Sequence, residues 1–302
     1  MGGGASQVQP LSNAETPKSD LSIPELAKST TGCVSAASRS KLWQTLLAVD
    51  EAEQKTWFER LETEAHSANT DQIKVIDNDV PRTDRSIALW EDPNALQPLR
   101  RILVAHLVQS PDIGYYQGMN DIAAVIWSTI PELPAAYFCF SAWVQMHQLN
   151  WSPDFEGIWQ QANVILAVLR VVDAPLAAKL STCSLPGQPL PFLFQAIFLR
   201  LKREMRDYEE TRRLWEVCWA ARLDKADGLH FDLLCIVALV LSQRRKLLRI
   251  PASGLEGLGS AQKVFNNLYG TQMAKPLLSR AHSLHRLPAV RAALTLNGQA
   301  DS

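Results

Sequence analysis

Two short polar clusters decide how this chain reads: IDNDVPRTDR at residues 76–85 and GYYQGMND at residues 114–121. Between them residues 96–108 read as an amphipathic helix, apolar at Leu96, Leu99, Leu103 and Leu107 and basic at Arg100 and Arg101. Pro81 breaks the pattern before that helix and disfavours a helical conformation at Val80. Ser110, Pro111 and Asp112 form a breaker cluster after it, and Gly114 permits a tight turn into the next helix. Each polar cluster therefore falls on a loop running into a helix. Each presents one long hydrogen-bonding side chain, Arg82 in the first and Gln117 in the second.

Outward from this pair the chain is mostly apolar helix. Upstream, Ser38, Leu42, Trp43, Leu46 and Leu47 lie on one helical stripe, and Trp57, Phe58 and Leu61 begin another. Residues 73–77 are a short mixed segment. Downstream, residues 122–130 are apolar all round, which predicts a buried helix that Pro131 ends. Helices are predicted over 133–149, 155–172, 192–205, 211–221 and 229–248, the last with a basic end that suits a helix C-terminus. A turn is predicted at 254–259, and helices at 261–269 and 275–284 close the fold. No segment alternates with period two, and no repeat appears at spacings of about 20 to 50 residues. The expected class is all-α, packed around one continuous core or two adjoining ones. Residues 1–31, rich in Gly, Ser, Pro and Lys, read as disordered, residues 32–290 as the folded domain and residues 291–302 as a flexible tail.

The totals limit the function classes. A chain of 302 residues that is 47% apolar and 20% charged can bury a sizeable core. A net charge of -1 supplies no field that would draw nucleic acid. Five cysteines without a CxxC pair fit reduced thiols and a cytoplasmic setting better than a disulfide framework or a zinc site. No signal peptide is visible, and the apolar run at 233–241 falls short of the roughly 20 residues a bilayer span requires. The opening MGGGAS matches an N-myristoylation pattern at Gly2 and Ser6, beside the plainer reading of a flexible start.

Taken singly, the polar residues are ambiguous. Asp79, three residues before Arg82, suits a structural ion pair at a helix start, or an orienting contact for a guanidinium that grips phosphate. Gln117 is a helix-start residue, or a carboxamide that both donates to and accepts from a water. Asn120 and Asp121 read as first-turn or cap residues. The basic run at 200–213 reads as a solvated face, and His282 with His285 lacks the partners that a metal site needs. No phosphate loop, nucleophile elbow or zinc-protease helix is present.

Together the clusters resemble the paired signature of the TBC domain of Rab GTPase-activating proteins, I-x-x-D-x-x-R followed by Y-x-Q. Here these are Ile76, Asp79 and Arg82, with Thr83 after the arginine, and Tyr115 and Gln117 ahead of Gly118. Lys202-Arg203-Glu204, Leu214-Trp215-Glu216 and an early Trp43 after Arg39 are similar to further family segments. The chain departs from the family at Asp84 and Arg85, where a proline and an aromatic often stand, and it lacks the usual arginine near Gln195. The resemblance implies a two-lobed all-α domain with Arg82 and Gln117 as catalytic groups supplied in trans. Asp79 would hold Arg82 and Tyr115 would support the Gln117 loop. The implied partner is a GTP-bound Rab-family small GTPase carrying its own GTP and Mg²⁺, with no cofactor or metal held by this chain. Peripheral attachment to endomembranes would come through that partner or an acylated Gly2. An inactive GTPase-binding scaffold of the same fold, and a helical adaptor without a GTPase partner, are the alternatives.

Overall fold

The 3.6-residue periodicity is realised throughout. In the computed structural model, which describes residues 21–32, 36–50, 54–85, 87–224, 230–251 and 253–298, the long elements are all helices. In chain order they are α1 (Ile23–Leu26), α2 (Ala36–Leu46), α3 (Gln54–Thr63), α4 (Thr70–Asp79), α5 (Pro93–Gln109), α6 (Met119–Trp127), α7 (Leu133–Met146) and α8 (Glu156–Val172). There follow α9 (Ala174–Ser181), α10 (Phe194–Phe198), α11 (Tyr208–Asp224), α12 (Phe231–Ser242), α13 (Arg244–Leu248), α14 (Gly254–Asn266), α15 (Ala274–His285) and α16 (Pro288–Gly298). Local chemistry sets several starts. Asn69 caps α4 by accepting from the amides of Asp71 and Gln72, and Asp92 caps α5 through the amide of Asn94.

The helices form two groups on one continuous core. Helices α3 to α7 pack mainly on one another, and α8, α9, α10, α12, α15 and α16 form the second group. Helix α11 belongs to both, touching α1, α2 and α6 on one side and α12 and α15 on the other. Its joint with α2 is charged and buried. The indole N–H of Trp43 donates to Glu216 Oε1 at 2.9 Å, and the Arg39 guanidinium lies 2.5 Å from the same oxygen. Arg39 also reaches Glu209 at 2.8 Å. Removing one partner from such a buried pair costs about 3–5 kcal/mol, because the other charge is left stranded. The early tryptophan and the Leu-Trp-Glu segment singled out in the sequence are thus in direct contact.

Several boundaries differ from the sequence expectation. Helix α1 lies within residues 1–31: Ser22 and Glu25 form a capping box, and fully buried Leu26 seats the turn on α11. At the other end α16 carries order to Gly298, with Val290, Ala293 and Leu294 buried and the helix packed on α8. Val80 is helical although Pro81 follows it, because the chain tightens there into a 3₁₀ turn, Val80–Arg82. The segment 73–77 is part of α4, and the expected turn at 254–259 is the start of α14. Gln243 separates α12 from α13 within the helix expected over 229–248.

The largest correction concerns residues 192–213. Instead of one helix followed by a solvated basic face, α10 ends at Phe198, and Arg200 and Leu201 take positive φ of 48° and 61°. That bend turns Arg200, Lys202 and Glu204 inward, and all three are buried. The carbonyl of Glu204 accepts from the amides of Thr271 at 3.1 Å and Gln272 at 2.9 Å, which docks the α14–α15 loop on this segment.

Burial pushes the Glu204 carboxyl up to about 7, against the opposing pull of a hydrogen bond to its own backbone and of Arg203 and Lys202. The folded protein therefore holds this proton at pH values where the unfolded chain has lost it. Stability from this group falls as pH rises from the ordinary carboxyl range through about 7. We expect Glu204→Gln to raise Tm relative to wild type at pH 8, each kcal/mol recovered moving it by about 2–4 °C, and to lose that advantage at pH 5. Thermal unfolding at the two pH values checks this, and a difference that ignores pH contradicts it.

Candidate functional site

The first cluster leaves α4 at Asp79. Ile76 is fully buried and Val80 nearly so, and they pin the end of the helix to the core. Pro81 lies in the opening turn of the 3₁₀ segment, where a helix asks for no donor from it. Thr83 then turns extended, at ψ 120°, and is buried while Arg82 beside it is exposed.

The second cluster enters α6. Gly114 has φ 71°, and a Cβ there would come within 2.7 Å of the Gln72 side chain. Gln72 uses its Oε1 to accept from the amide of Tyr115 at 2.7 Å. His106 on α5 lies 3.0 Å from the carbonyl of Gly114, and burial pushes its imidazole down to about 4, so the ring is neutral at physiological pH. Gly118 caps α6 at φ 107°, and a Cβ would crowd Leu199 at 3.2 Å and Phe198 at 3.3 Å. Gln117 immediately precedes it and is exposed.

A buried hydrogen-bond network joins the two loops. Asn120 donates through Nδ2 to Thr83 Oγ1 at 2.9 Å and accepts at Oδ1 from the amide of Gly118 at 3.2 Å. The Tyr115 hydroxyl lies 3.0 Å from Asp79 Oδ2 and 3.1 Å from Asn120 Oδ1. Burial and the neighbouring Asp79 carboxylate raise the ionisation of Tyr115, so its phenol keeps the proton it donates. The neighbours of Arg82 and Gln117 in sequence are thus held by one side-chain amide.

A second tie is ionic. Lys202 lies 2.6 Å from both oxygens of Asp84 and 3.0 Å from Asp121 Oδ1. Arg203 reaches the other oxygen of Asp121 at 2.8 Å, and Tyr208 donates to Asp84. Burial alone would raise the Asp121 carboxyl, but Lys202 and Arg203 outweigh it and hold the group below its ordinary range. Asp84, a departure from the family pattern, is therefore the partner of Lys202.

The structure thus brings together Ile76, Asp79, Thr83, Tyr115 and Gly118, and leaves Arg82 and Gln117 at the surface of the assembly they form. Among the described residues neither of those two side chains makes a hydrogen bond or ion pair. One expected contact is absent: the Asp79 carboxylate is taken by Tyr115 rather than by Arg82, because the 3₁₀ turn points the two side chains apart, one inward and one to solvent. Asn120 and Asp121, read as caps, are buried bridging groups. Lys202 and Tyr208 were not legible as site residues, although the Lys-Arg-Glu triplet was the available signal. Among the described residues no cluster of three or more metal-ligating side chains occurs, and no helix is long and apolar enough to cross a membrane. His282 and His285 pack on Phe231, and His282 contacts the carbonyl of Ser29 at 2.9 Å. Cys139, Cys183, Cys218 and Cys235 are buried free thiols, while Cys33 and Gly2 lie outside the described residues.

Arg82 and Gln117 are thus a planar five-donor cation and a carboxamide, both exposed, on two loops that Asn120 joins. The sequence pattern of the Rab-GTPase-TBC domain matches residues 36–248. TBC1 domain family member 17 of Homo sapiens is 32% identical over 216 residues, covering 70% of this chain and 31% of that one. GTPase-activating protein GYP7 of Yarrowia lipolytica is 25% identical over 274 residues, covering 82% of this chain and 36% of the relative. The chain thus spans about a third of the length of these curated relatives. In three dimensions the Ypt/Rab-GAP domain of Gyp1p superposes with a TM-score of 0.67 over 89% of this chain and 94% of that domain, at 17% identity. With the family pattern running through both loops and on to the end of α13, the chain belongs to the Rab-GTPase-TBC domain family.

Proposed function

We propose that the chain accelerates GTP hydrolysis by a GTP-bound Rab-family small GTPase, with Arg82 and Gln117 supplied in trans. The observation that carries this reading is their shared state: two exposed, unengaged polar side chains on loops locked to each other by Asn120. A relative named as a GTPase-activating protein supports it. A scaffold that only gripped a GTPase would have no use for two such side chains held in fixed register.

GTP and its Mg²⁺ arrive with the GTPase. Arg82 approaches the phosphates and neutralises charge that grows on the leaving oxygens, a contribution of about 10³ to 10⁵ in rate for an arginine acting in this way. Gln117 donates to one partner and accepts from a water, holding that water in line for attack. The gain is electrostatic and positional, and no bond forms to this chain. Asp79 and Tyr115 act on Arg82 and Gln117 only through the backbone that they fix. Attachment to an endomembrane would come through the GTPase or through acylation of Gly2.

We expect Arg82→Ala to remove most of the stimulation, about 10³-fold or more, with the helical circular dichroism intact. Arg82→Lys should recover little, since an ammonium does not reproduce the planar fork. Phosphate release from a panel of GTP-loaded Rab proteins measures both, and wild-type stimulation by Arg82→Ala contradicts the assignment. Asn120→Ala leaves the Thr83 hydroxyl and the Gly118 amide without their partner, at a cost to stability of about 1–3 kcal/mol. Because it lets both loops drift, it should also lower kcat by up to about 10²-fold with KM for the GTPase little changed. A loss confined to KM would contradict its positioning role.

A further inference from the structure

A strip of aromatic rings begins beside Gln117 and runs away from it. Tyr116, the residue before Gln117, is anchored by its hydroxyl on the carbonyl of Trp151 at 2.5 Å. Its ring meets that of Phe155 at 5.8 Å, Phe155 meets Phe194 at 5.0 Å, and Phe194 meets Trp159 at 5.6 Å between centroids. All four rings are half-buried, resting on the core with one side left to solvent.

The strip is built at a local cost. Phe155 holds φ 54° and ψ 38°, a left-handed conformation that a bulky aromatic residue rarely adopts. That turn starts α8 and leaves Asp154 and Glu156, the residues on either side of Phe155, exposed. The Trp159 indole N–H donates to the carbonyl of Asp154 at 3.0 Å, which fixes the ring against this acidic turn. An apolar centre with an acidic edge is therefore continuous with the loop that carries Gln117.

We propose that this strip is the docking surface that selects the GTPase, taking a partner whose surface carries exposed apolar side chains beside lysine or arginine. The inference rests on the assignment of Arg82 and Gln117, which fixes where the GTPase sits. Two polar side chains cannot by themselves supply the roughly 800 Å² per partner of a standard interface. Aromatic anchors at the centre of an interface carry most of its energy. The rings from Tyr116 to Trp159 are an apolar surface of that kind adjoining the Gln117 loop, and Asp154 and Glu156 supply the charge that a basic rim on the partner would complement.

The test separates binding from chemistry. With the 302-residue chain and a responsive Rab, Trp159→Ala should raise both KM and the Kd for the GTPase loaded with a non-hydrolysable GTP analogue, about 5- to 30-fold, with kcat retained. Arg82→Ala should do the reverse. Reversing the exposed charges in the double variant Asp154→Lys, Glu156→Lys leaves the core untouched. It should lower kcat/KM and flatten its dependence on salt. The proposal is overturned if both variants bind the GTPase as wild type does. It is also overturned if wild type is a dimer in sedimentation that Trp159→Ala dissociates without weakening GTPase binding, which gives the strip to a second copy. Full hydrolysis by Arg82→Ala alongside lost binding by Trp159→Ala would sink the catalytic assignment and leave the strip standing.

Discussion

One carboxamide holds this site together. Asn120 spends its donor on Thr83 and its acceptor on the amide of Gly118, and these two residues adjoin Arg82 and Gln117. Because the amide is buried, an unmade bond there would cost the full desolvation of the group, so separating the two loops is costly. Asp79 extends the constraint into α4 through Tyr115. Other residues help fix where its partners stand: Ile76 under the end of α4, His106 under Gly114, and Leu199 against Gly118.

The ionic tie around Lys202 adds a different kind of constraint. A single buried ammonium between Asp84 and Asp121 links the Arg82 loop and the first turn of α6 to the 200–205 bend. A buried ion pair contributes little net stability, but removing one partner is expensive, so such a group fixes geometry more than it adds strength. Its placement depends on positive φ at Arg200 and Leu201, which turns Lys202 inward. The bend thus couples the second group of helices to the loops of the first.

Helix content was legible because 3.6-residue periodicity is a property of single segments, and the motif pair was legible because its residues lie close in sequence. The register of the 200–205 bend was not, because charge-rich composition suggests solvent, and only partners more than 80 residues away make burial of Lys202 favourable. Helix α1 escaped for a related reason: one leucine seats it, and its polar neighbours dominate any average over the segment. Asn120 shows the limit within the site itself. A first-turn asparagine reads as a cap from its position, and its bridging role exists only once Thr83 has been brought beside it. The family motifs that contain Arg82 and Gln117 could be read, but the locking of their loops could not.

In the proposed function Gln117 of this chain, and not a glutamine of the GTPase, would orient the attacking water. In activation of the Ras type the GTPase uses its own glutamine for this. Single-turnover hydrolysis by a responsive Rab whose own catalytic glutamine has been replaced, measured with wild-type chain and with Gln117→Ala, tests that role of Gln117. The altered Rab is expected to remain responsive to the wild-type chain and to be unresponsive to Gln117→Ala. An altered Rab that is inert to the wild-type chain, together with a wild-type Rab fully stimulated by Gln117→Ala, would contradict it.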